Sequence, residues 1–428
     1  MESVWAETLS RRRAFLRLAA LAYPAAGFAQ KREGARIDAG WFRERLEQET
    51  ERTLKTMVAP SGYLGTPAGR GGPLPAQPAS PGSYRPTGLG PGSPTSQGRN
   101  LFVLALGYEL TRKPEFLEAV AKATDFIRNH FHDKQYGGLF AAVDPNGKVL
   151  DDRKESYGTA HAILGLSSAA RVSGRKKYAD LALKIWSEMK AGLQDQYGLF
   201  KRETSRDFKT EGPGKKTQNP VMHLFEALLA LHDATRSDTV YKDIARLADT
   251  VLSRLYREPG YIPELYDRDW KPIPAGPPGQ TEPDGSPLDP YNAYAAAAQT
   301  GHIEIGHLIE WAFFLSRAVE KGFSRKYLSY GERLLNYALK VGYDHTSGGV
   351  FGYADYDGKP TAESSVRGWQ IAELLKMLLH WAVLRQREDL WGLYEKSLAA
   401  VKSSGSLPGG YHGCGLYAEA LRLAKIAG

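Results

Sequence analysis

Cysteine is almost absent from this chain: Cys414 is the only one in 428 residues. A single thiol excludes an intrachain disulfide and a thiolate metal cluster. Long apolar runs are missing too. No segment after the leader offers about 18 uninterrupted apolar residues, roughly what a membrane-crossing helix needs, so no stable span is expected in the mature protein. The chain also lacks a phosphate-cradling P-loop, a Gly-x-Gly-x-x-Gly turn after a strand and a Gly-x-Ser-x-Gly elbow. Nucleotide hydrolysis, dinucleotide redox chemistry and serine hydrolysis therefore have no signature here.

Nor is charge of one sign concentrated anywhere. The formal net charge is +8, but lysines and arginines interleave with acids along helices and form no long basic run. They read as solvated helix faces, so no nucleic-acid partner is expected. Aromatic residues, at 11% with eight tryptophans and 23 tyrosines, suit either a large core or surfaces on which a sugar stacks.

What is present begins with a leader. Arg12-Arg13-Ala14-Phe15-Leu16-Arg17 precedes a short apolar run from Leu18 to Phe28, and Gly27-Phe28-Ala29 ends it like a signal-peptidase site. Residues 1–29 are expected to be a twin-arginine signal, with the twin-arginine export machinery as partner and a periplasmic or secreted destination. Its loss would remove four arginines and two glutamates and lower the net charge to +6. Residues 30–428 are expected to form one domain.

In that domain the helical period dominates. Twelve amphipathic segments, near 41–57, 97–112, 114–132, 157–174, 175–192, 219–236, 238–258, 303–322, 323–343, 366–386, 387–404 and 412–427, carry apolar residues at three- and four-residue steps. Short polar turns such as Ser173-Gly174-Arg175 alternate with long Gly- and aromatic-rich loops. Two of those loops match without a gap: Gly137-Gly138 through Asp144-Pro-Asn146-Gly147-Lys148, and Gly348-Gly349 through Asp355-Tyr-Asp357-Gly358-Lys359. Asn-Gly and Asp-Gly between β-prone runs predict hairpins with both central residues at positive φ. Weaker copies begin at Tyr197-Gly198 and Gly260-Tyr261. The repeated unit cannot bury its apolar face alone, so the units must stack. An all-α (α/α)6 barrel with short β-hairpins in the long loops at one end is expected, with an open solenoid as the alternative.

The alternation brings the helix starts near 97, 157, 219, 303, 366 and 412 around one mouth. The Pro/Gly-rich stretches 59–98 and 271–301 would be its lids or rims. Three of these helices open with a histidine. Asn219 reads as an N-cap with Pro220 behind it, which puts His223 in the first turn and Glu226 on the same face. His307 and Glu310 repeat that spacing. His412 starts the last helix, with Glu419 further along its face. A helix N-terminus disfavours imidazolium and a paired carboxylate favours it, so the rings are expected to titrate near neutrality, where acid–base work is efficient. His130, His132, His232, His302, His345 and His380 are placed at helix ends, on outer faces or in loops and read as structural. His161 begins an earlier inner helix.

Asn219-Pro-x-Met-His223-Leu-x-Glu226-Ala, Gly306-His307-x-Ile-Glu310-Trp311 and Tyr411-His412 resemble motifs of the N-acylglucosamine 2-epimerase family, which includes cellobiose 2-epimerases and mannose isomerases. Gln97-Gly-Arg99, Tyr157, and the Gly348–Gly358 hairpin followed by Trp369 and Glu373 extend the resemblance over nearly all of the mature chain. It implies an (α/α)6 barrel that moves a proton at C2 of an opened aldose without a redox cofactor. His307 and His412 would then be the acid–base pair, with His223 assisting and Glu310 tuning His307. Arg99 would bind the C1 and C2 oxygens, while Tyr157, Asn219, Glu226, Trp311, Trp369 and Glu373 would line the sugar site, the tryptophans by stacking or in the core. The chain departs from the family where Gly415 follows His412 by three residues, in place of an arginine, and at Val366, Gly368 and Ile371.

The expected function is a cofactor-independent sugar 2-epimerase or aldose–ketose isomerase, with no metal. Three other readings stay open. They are hydrolysis or lyase chemistry by carboxylates among Glu226, Glu310, Glu373 and Asp344, metal binding by the two His-x-x-Glu pairs, and sugar binding without catalysis.

Overall fold

The computed structural model describes residues 36–65, 92–212, 214–275, 300–360 and 363–428. The proposed leader, most of the first Pro/Gly-rich stretch and most of the second, including Pro277-Pro278-Gly279, lie outside the described residues. Among the described residues are twelve long helices: α1 (Ala39–Met57), α2 (Pro94–Thr111), α3 (Pro114–Phe126, continued by a π turn), α4 (Ser156–Ser173), α5 (Lys176–Leu193), α6 (Asn219–Thr235), α7 (Asp238–Arg254), α8 (Ile305–Glu320), α9 (Lys326–Gly342), α10 (Trp369–Leu384), α11 (Leu390–Ser404) and α12 (Gly410–Ala427).

Local signals start and stop these helices. Ser93 caps α2 by accepting from Ser96 N at 3.2 Å, with Pro94 in its first turn, and Asp38 caps α1 from Trp41 N at 3.0 Å. Gly174 ends α4 in the left-handed region at φ +65°. The even-numbered helices pack each against the next, and α12 returns to α2, so they close a ring. The odd-numbered helices lie outside it, with α1 against α12 joining the two ends of the described chain. This is the closed barrel, not the open solenoid.

The two rings differ in kind. Outer α7 buries Val240, Ile244, Leu247, Ala248, Val251 and Leu252 along one stripe and is amphipathic, as expected. Two inner helices bury nearly all sides: every residue from Ile305 to Ser316 on α8 and from Ile371 to Val383 on α10 is buried. These two are clamped between the barrel axis and the outer ring, so amphipathicity does not describe them. Gly98 shows how closely the inner ring packs, since a Cβ there would lie 2.0 Å from the carbonyl oxygen of His161 on α4.

The long loops gather at the end where inner helices begin, and short antiparallel pairs link them. β1 (Ala142–Val143) and β2 (Val149–Asp151) form the expected hairpin, and β8 (Val350–Phe351) pairs with β10 (Ser364–Ser365) within one loop. The other three pairs join neighbouring loops: β3 (Lys154–Glu155) with β4 (Glu203–Thr204), β5 (Lys216–Thr217) with β6 (Leu265–Tyr266), and β7 (Ile303–Glu304) with β9 (Tyr353–Ala354). The turns also differ from expectation. Gly147 and Gly358 take positive φ but Asn146 and Asp357 do not. Asp144 and Asp355 instead each accept two backbone N–H groups, from residues two and four further on. A carboxylate thus organises each turn and only the glycine needs the left-handed region. Among the described residues no helix is long and apolar enough to cross a membrane.

Candidate active site

The inner-helix starts and the linked loops put three carboxylate–histidine pairs at one end of the barrel. His307, in the first turn of α8, donates from Nδ1 to Glu264 Oε2 at 2.7 Å. Glu264 also accepts from Thr217 Oγ1 at 2.5 Å and Gln218 Nε2 at 2.7 Å, and Gln218 Oε1 accepts from Trp311 Nε1 at 2.7 Å. His412, in the first turn of α12, donates from Nδ1 to Glu373 Oε1 at 2.8 Å, and the other oxygen of Glu373 is ion-paired with Lys376. His223 on α6 donates to Glu226 Oε2 at 3.0 Å, and Tyr411 Oη donates to the same carboxylate at 2.5 Å.

Trp369 stands between two of these rings. Its indole lies 5.4 Å from the His307 centroid and 5.3 Å from that of His412, tilted by 34° and 36°. On the other flank the Arg99 guanidinium donates to Tyr157 Oη at 2.7 Å and lies 4.8 Å over the Tyr411 ring. Arg99, Tyr157, Glu226, Trp369 and His412 are half-buried, so this face of the cluster is partly open. Behind it, His161 is fully buried, 4.5 Å from the His223 ring, and neither of its ring nitrogens has a hydrogen-bond partner among the described residues.

The rings do not titrate together near neutrality. Burial works against charge on His307, but the Glu264 carboxylate beside it, aided by Glu304 and Glu310, outweighs burial and raises the ring to about 9. Burial also dominates at His412. Glu373 opposes it, Arg99 and Lys376 reinforce it, and the ring falls to about 4. His223 is lowered as well, burial outweighing Glu226. At neutral pH His307 is therefore charged and His412 is not. Burial and the neighbouring Glu373 push Glu310 well above the carboxylate range, whereas Lys376 and His412 overcome burial to hold Glu373 at about 2.

Several sequence expectations need correcting. Glu310 does not pair with His307; both its oxygens are buried without a hydrogen-bond partner among the described residues, and Glu264 takes the position expected of it. Glu373, expected to line the sugar site, is instead the partner of His412. Glu419, placed on the face of His412, pairs with His380 at 2.7 Å and with Arg422. His380 is neither exposed nor terminal: it is buried within α10, where Ser316 Oγ meets its other nitrogen at 2.8 Å. Asn219 is the first residue of α6 rather than its cap, and its Oδ1 is buried without a partner among the described residues. Of the two places expected for Trp311, stacking on the sugar or packing in the core, the structure shows the core: it is fully buried and supports Gln218.

Reading the sequence missed Glu264, Gln218, Lys376 and the Tyr411 hydroxyl contact. Lys376 had a local signal, one helical turn beyond Glu373. Glu264 had only its place in the weak loop copy that begins at Gly260. Glu310, Glu373 and His412 do bring donor atoms within 4.8 Å of one another, but two of the groups in that set already serve each other and Lys376. A lysine ammonium thus supplies the positive charge there, and the set is not read as a metal site.

Comparison with known proteins places this geometry. The model of the N-acylglucosamine 2-epimerase (GlcNAc 2-epimerase) family matches residues 91–404, which takes in every inner helix except α12 with His412. The D-mannose isomerase of Marinomonas mediterranea is 27% identical over 268 residues, 60% of this chain and 62% of that protein. The cellobiose 2-epimerase of Ruminococcus albus is 32% identical over 150 residues, 33% of this chain and 39% of that one. The matched stretches thus span less than two thirds of these relatives' lengths. A crystal structure of D-mannose isomerase superposes on 94% of this chain and 100% of its own, with a TM-score of 0.70 at 20% identity, a likeness of fold. The chain belongs to the N-acylglucosamine 2-epimerase family.

Proposed function

We propose that this protein is a carbohydrate isomerase that moves the C2 proton of an opened aldose, as a 2-epimerase or an aldose–ketose isomerase. One observation carries the reading: two histidines, each anchored at Nδ1 by a buried carboxylate, lie against one indole. In each, Nδ1 is engaged by a carboxylate, which leaves Nε2 for chemistry. A neutral ring accepts the C2 proton, the C2–H electron pair becomes the C1=C2 bond, and the aldehyde oxygen takes up the charge as an enediolate. A charged ring supplies the proton that resolves it. Reprotonation at C2 on the opposite face, with the O1 charge returning to the aldehyde, gives the epimer; reprotonation at C1, with the O2 proton passing to O1, gives the ketose. The reaction is redox-neutral and consumes no co-substrate. Arg99 offsets the enediolate charge from the flank it shares with Tyr157 and Tyr411, and the indole of Trp369 is the stacking surface. The relatives named for mannose and cellobiose direct the choice of sugars to test.

The test is proton NMR in D₂O with D-mannose and cellobiose, on the full chain and on His307→Ala and His412→Ala. Loss of the H2 signal in the wild type and its retention in both variants is the expected result, and the product spectrum separates epimer from ketose. Cleavage without H2 exchange would turn the reading to glycoside hydrolysis. Binding without either would make the protein a sugar-binding relative.

We propose in addition that residues 1–29 direct export by the twin-arginine route to the periplasm or beyond. Replacing Arg12 and Arg13 by lysine should leave an unprocessed chain in the cytoplasmic fraction. Unchanged processing would refute it.

A further inference from the structure

Lys376 is a lysine in the wall of the barrel, only 5% exposed. Beneath it lie the rings of Phe313, 4.7 Å from its nitrogen, and Phe314, at 5.8 Å. Its partner is Glu373, one turn back on α10, and Glu373 is in turn the carboxylate that holds His412. On the facing helix α12 Lys376 meets Gly415, where a Cβ would lie 3.9 Å from the ammonium. The absence of a side chain at 415 leaves that room to Lys376.

The same carboxylate–imidazole pair occurs without such a cation at His307. Glu264 is met by Thr217 and Gln218, which are uncharged, and by His307. The two pairs differ in what stands behind the carboxylate, neutral donors at Glu264 and an ammonium at Glu373, and in their other neighbours, Glu304 and Glu310 near His307 and Arg99 near His412. A carboxylate whose charge is already offset draws a proton to its histidine less strongly.

We propose that Lys376, acting through Glu373, is the positioning residue that makes His412 the proton acceptor and leaves His307 the proton donor. The inference rests on the proton-transfer reading above. The charged and titratable groups around His412 are Glu373 and Lys376 on α10, Arg99 on α2, Glu310 on α8, His161 on α4 and its own neighbour Tyr411, with Glu226 and His223 on α6 beyond Tyr411 and His307 beyond Trp369. Arg99 also repels a proton from His412, but it serves the whole mouth. Lys376 alone among them is ion-paired to the carboxylate that holds this ring.

The test compares the pH dependence of kcat/KM in wild type, Lys376→Met, Lys376→Arg and the double variant Lys376→Met with Gly415→Arg. The assay is H2 exchange in D₂O on whichever of D-mannose and cellobiose the wild type uses. Removing the ammonium makes the cluster take up a proton at higher pH. Whether Glu373 or His412 receives it, the active form is titrated away sooner, so the acid limb should rise by about one unit or more in Lys376→Met. Lys376→Arg should restore it, and so should the cation returned from Gly415. An acid limb that stays in place while kcat falls uniformly makes Lys376 merely structural and overturns the proposal. An independent readout needs no variant: histidine ¹⁵N shifts of the wild type at pH 7 should show His412 neutral and His307 protonated, and a protonated His412 overturns the proposal even if Lys376→Met does not fold. A wild type that exchanges H2 on neither sugar would instead remove the isomerase reading, a result distinct from an unmoved limb.

Discussion

Glu264 holds His307 by a 2.7 Å hydrogen bond across 43 residues of chain, from the loop after α7 to the first turn of α8. The carboxylate is buried and fixed by Thr217 and Gln218, so it stays in place and the imidazole cannot turn without giving up its bond to it. Glu264→Gln keeps the shape and removes the charge that holds His307 at about 9. The basic limb of kcat/KM should move down from about 9 toward the ordinary histidine range, with kcat/KM lower by about 30-fold at pH 8. A pH–rate profile of that variant decides it, and a basic limb still at 9 would remove His307 as the proton donor.

That contact also shows where sequence reading stops. Helix number, the alternation of short and long connections and the convergence of His223, His307 and His412 follow from local periodicity and chain direction, and all were legible. Carboxylate partners were legible only where they sit one helical turn from the histidine, as Glu226 does. Glu264 and Glu373 reach their rings across loop and helix boundaries, and no spacing encodes which of several acids arrives first. Glu310 has the right spacing from His307, but its side chain lies on the inner side among Glu373, Lys376 and Glu226. Most of the strand pairs escaped for a related reason. They join consecutive loops, whereas the Asn-Gly and Asp-Gly signals speak only of turns within one.

Trp369 offers the cleanest test of spacing between the rings. It lies about equally far from His307 and His412, at the start of α10 where Gly368 takes φ +87°. Trp369→Ala removes both the stacking surface and the wedge, and should lower kcat/KM by about 100-fold, as misplacement by about 1 Å can. Trp369→Phe keeps a ring and should lose much less. Steady-state kinetics on the exchanging sugar give the comparison, and equal losses would mean the indole packs without positioning.

Stability should fall with rising pH over the range in which His307 loses its proton. Its native value of about 9 lies above the ordinary 6.5. The native state therefore holds this proton more tightly, and the stabilisation is complete below about pH 6.5. It is lost as pH rises through 9, with a ceiling of about 3 kcal/mol for the shift. Glu304, raised by burial to about 8, adds a loss in the same direction at lower pH, between the ordinary carboxylate range and 8. Urea unfolding of wild type and His307→Gln at pH 6 and 9.5 isolates the histidine. The gap between the two proteins should narrow at the higher pH, and a gap that does not change would contradict the linkage.

Glu310 and Glu373 have donor atoms within 4.8 Å of each other and of His412, yet burial and Glu373 push Glu310 well above the carboxylate range while Lys376 and His412 hold Glu373 at about 2. Two buried carboxylates this close cannot both ionise cheaply, and Lys376 decides which one does. The same isosteric substitution should then have opposite consequences. Glu310→Gln puts a neutral amide where the surroundings favour the neutral carboxyl and should change unfolding free energy by less than about 1 kcal/mol. Glu373→Gln leaves the Lys376 ammonium buried without its counter-charge and should cost about 3 kcal/mol or more, the usual penalty for breaking a buried pair from one side. It should also remove the anchor of His412 and with it most of the exchange activity. Denaturant midpoints of the two variants at pH 7 make the comparison. If Glu310→Gln proved as damaging as Glu373→Gln, Glu310 would carry a charge in the folded protein, and the division of charge between these carboxylates would have to be reassigned.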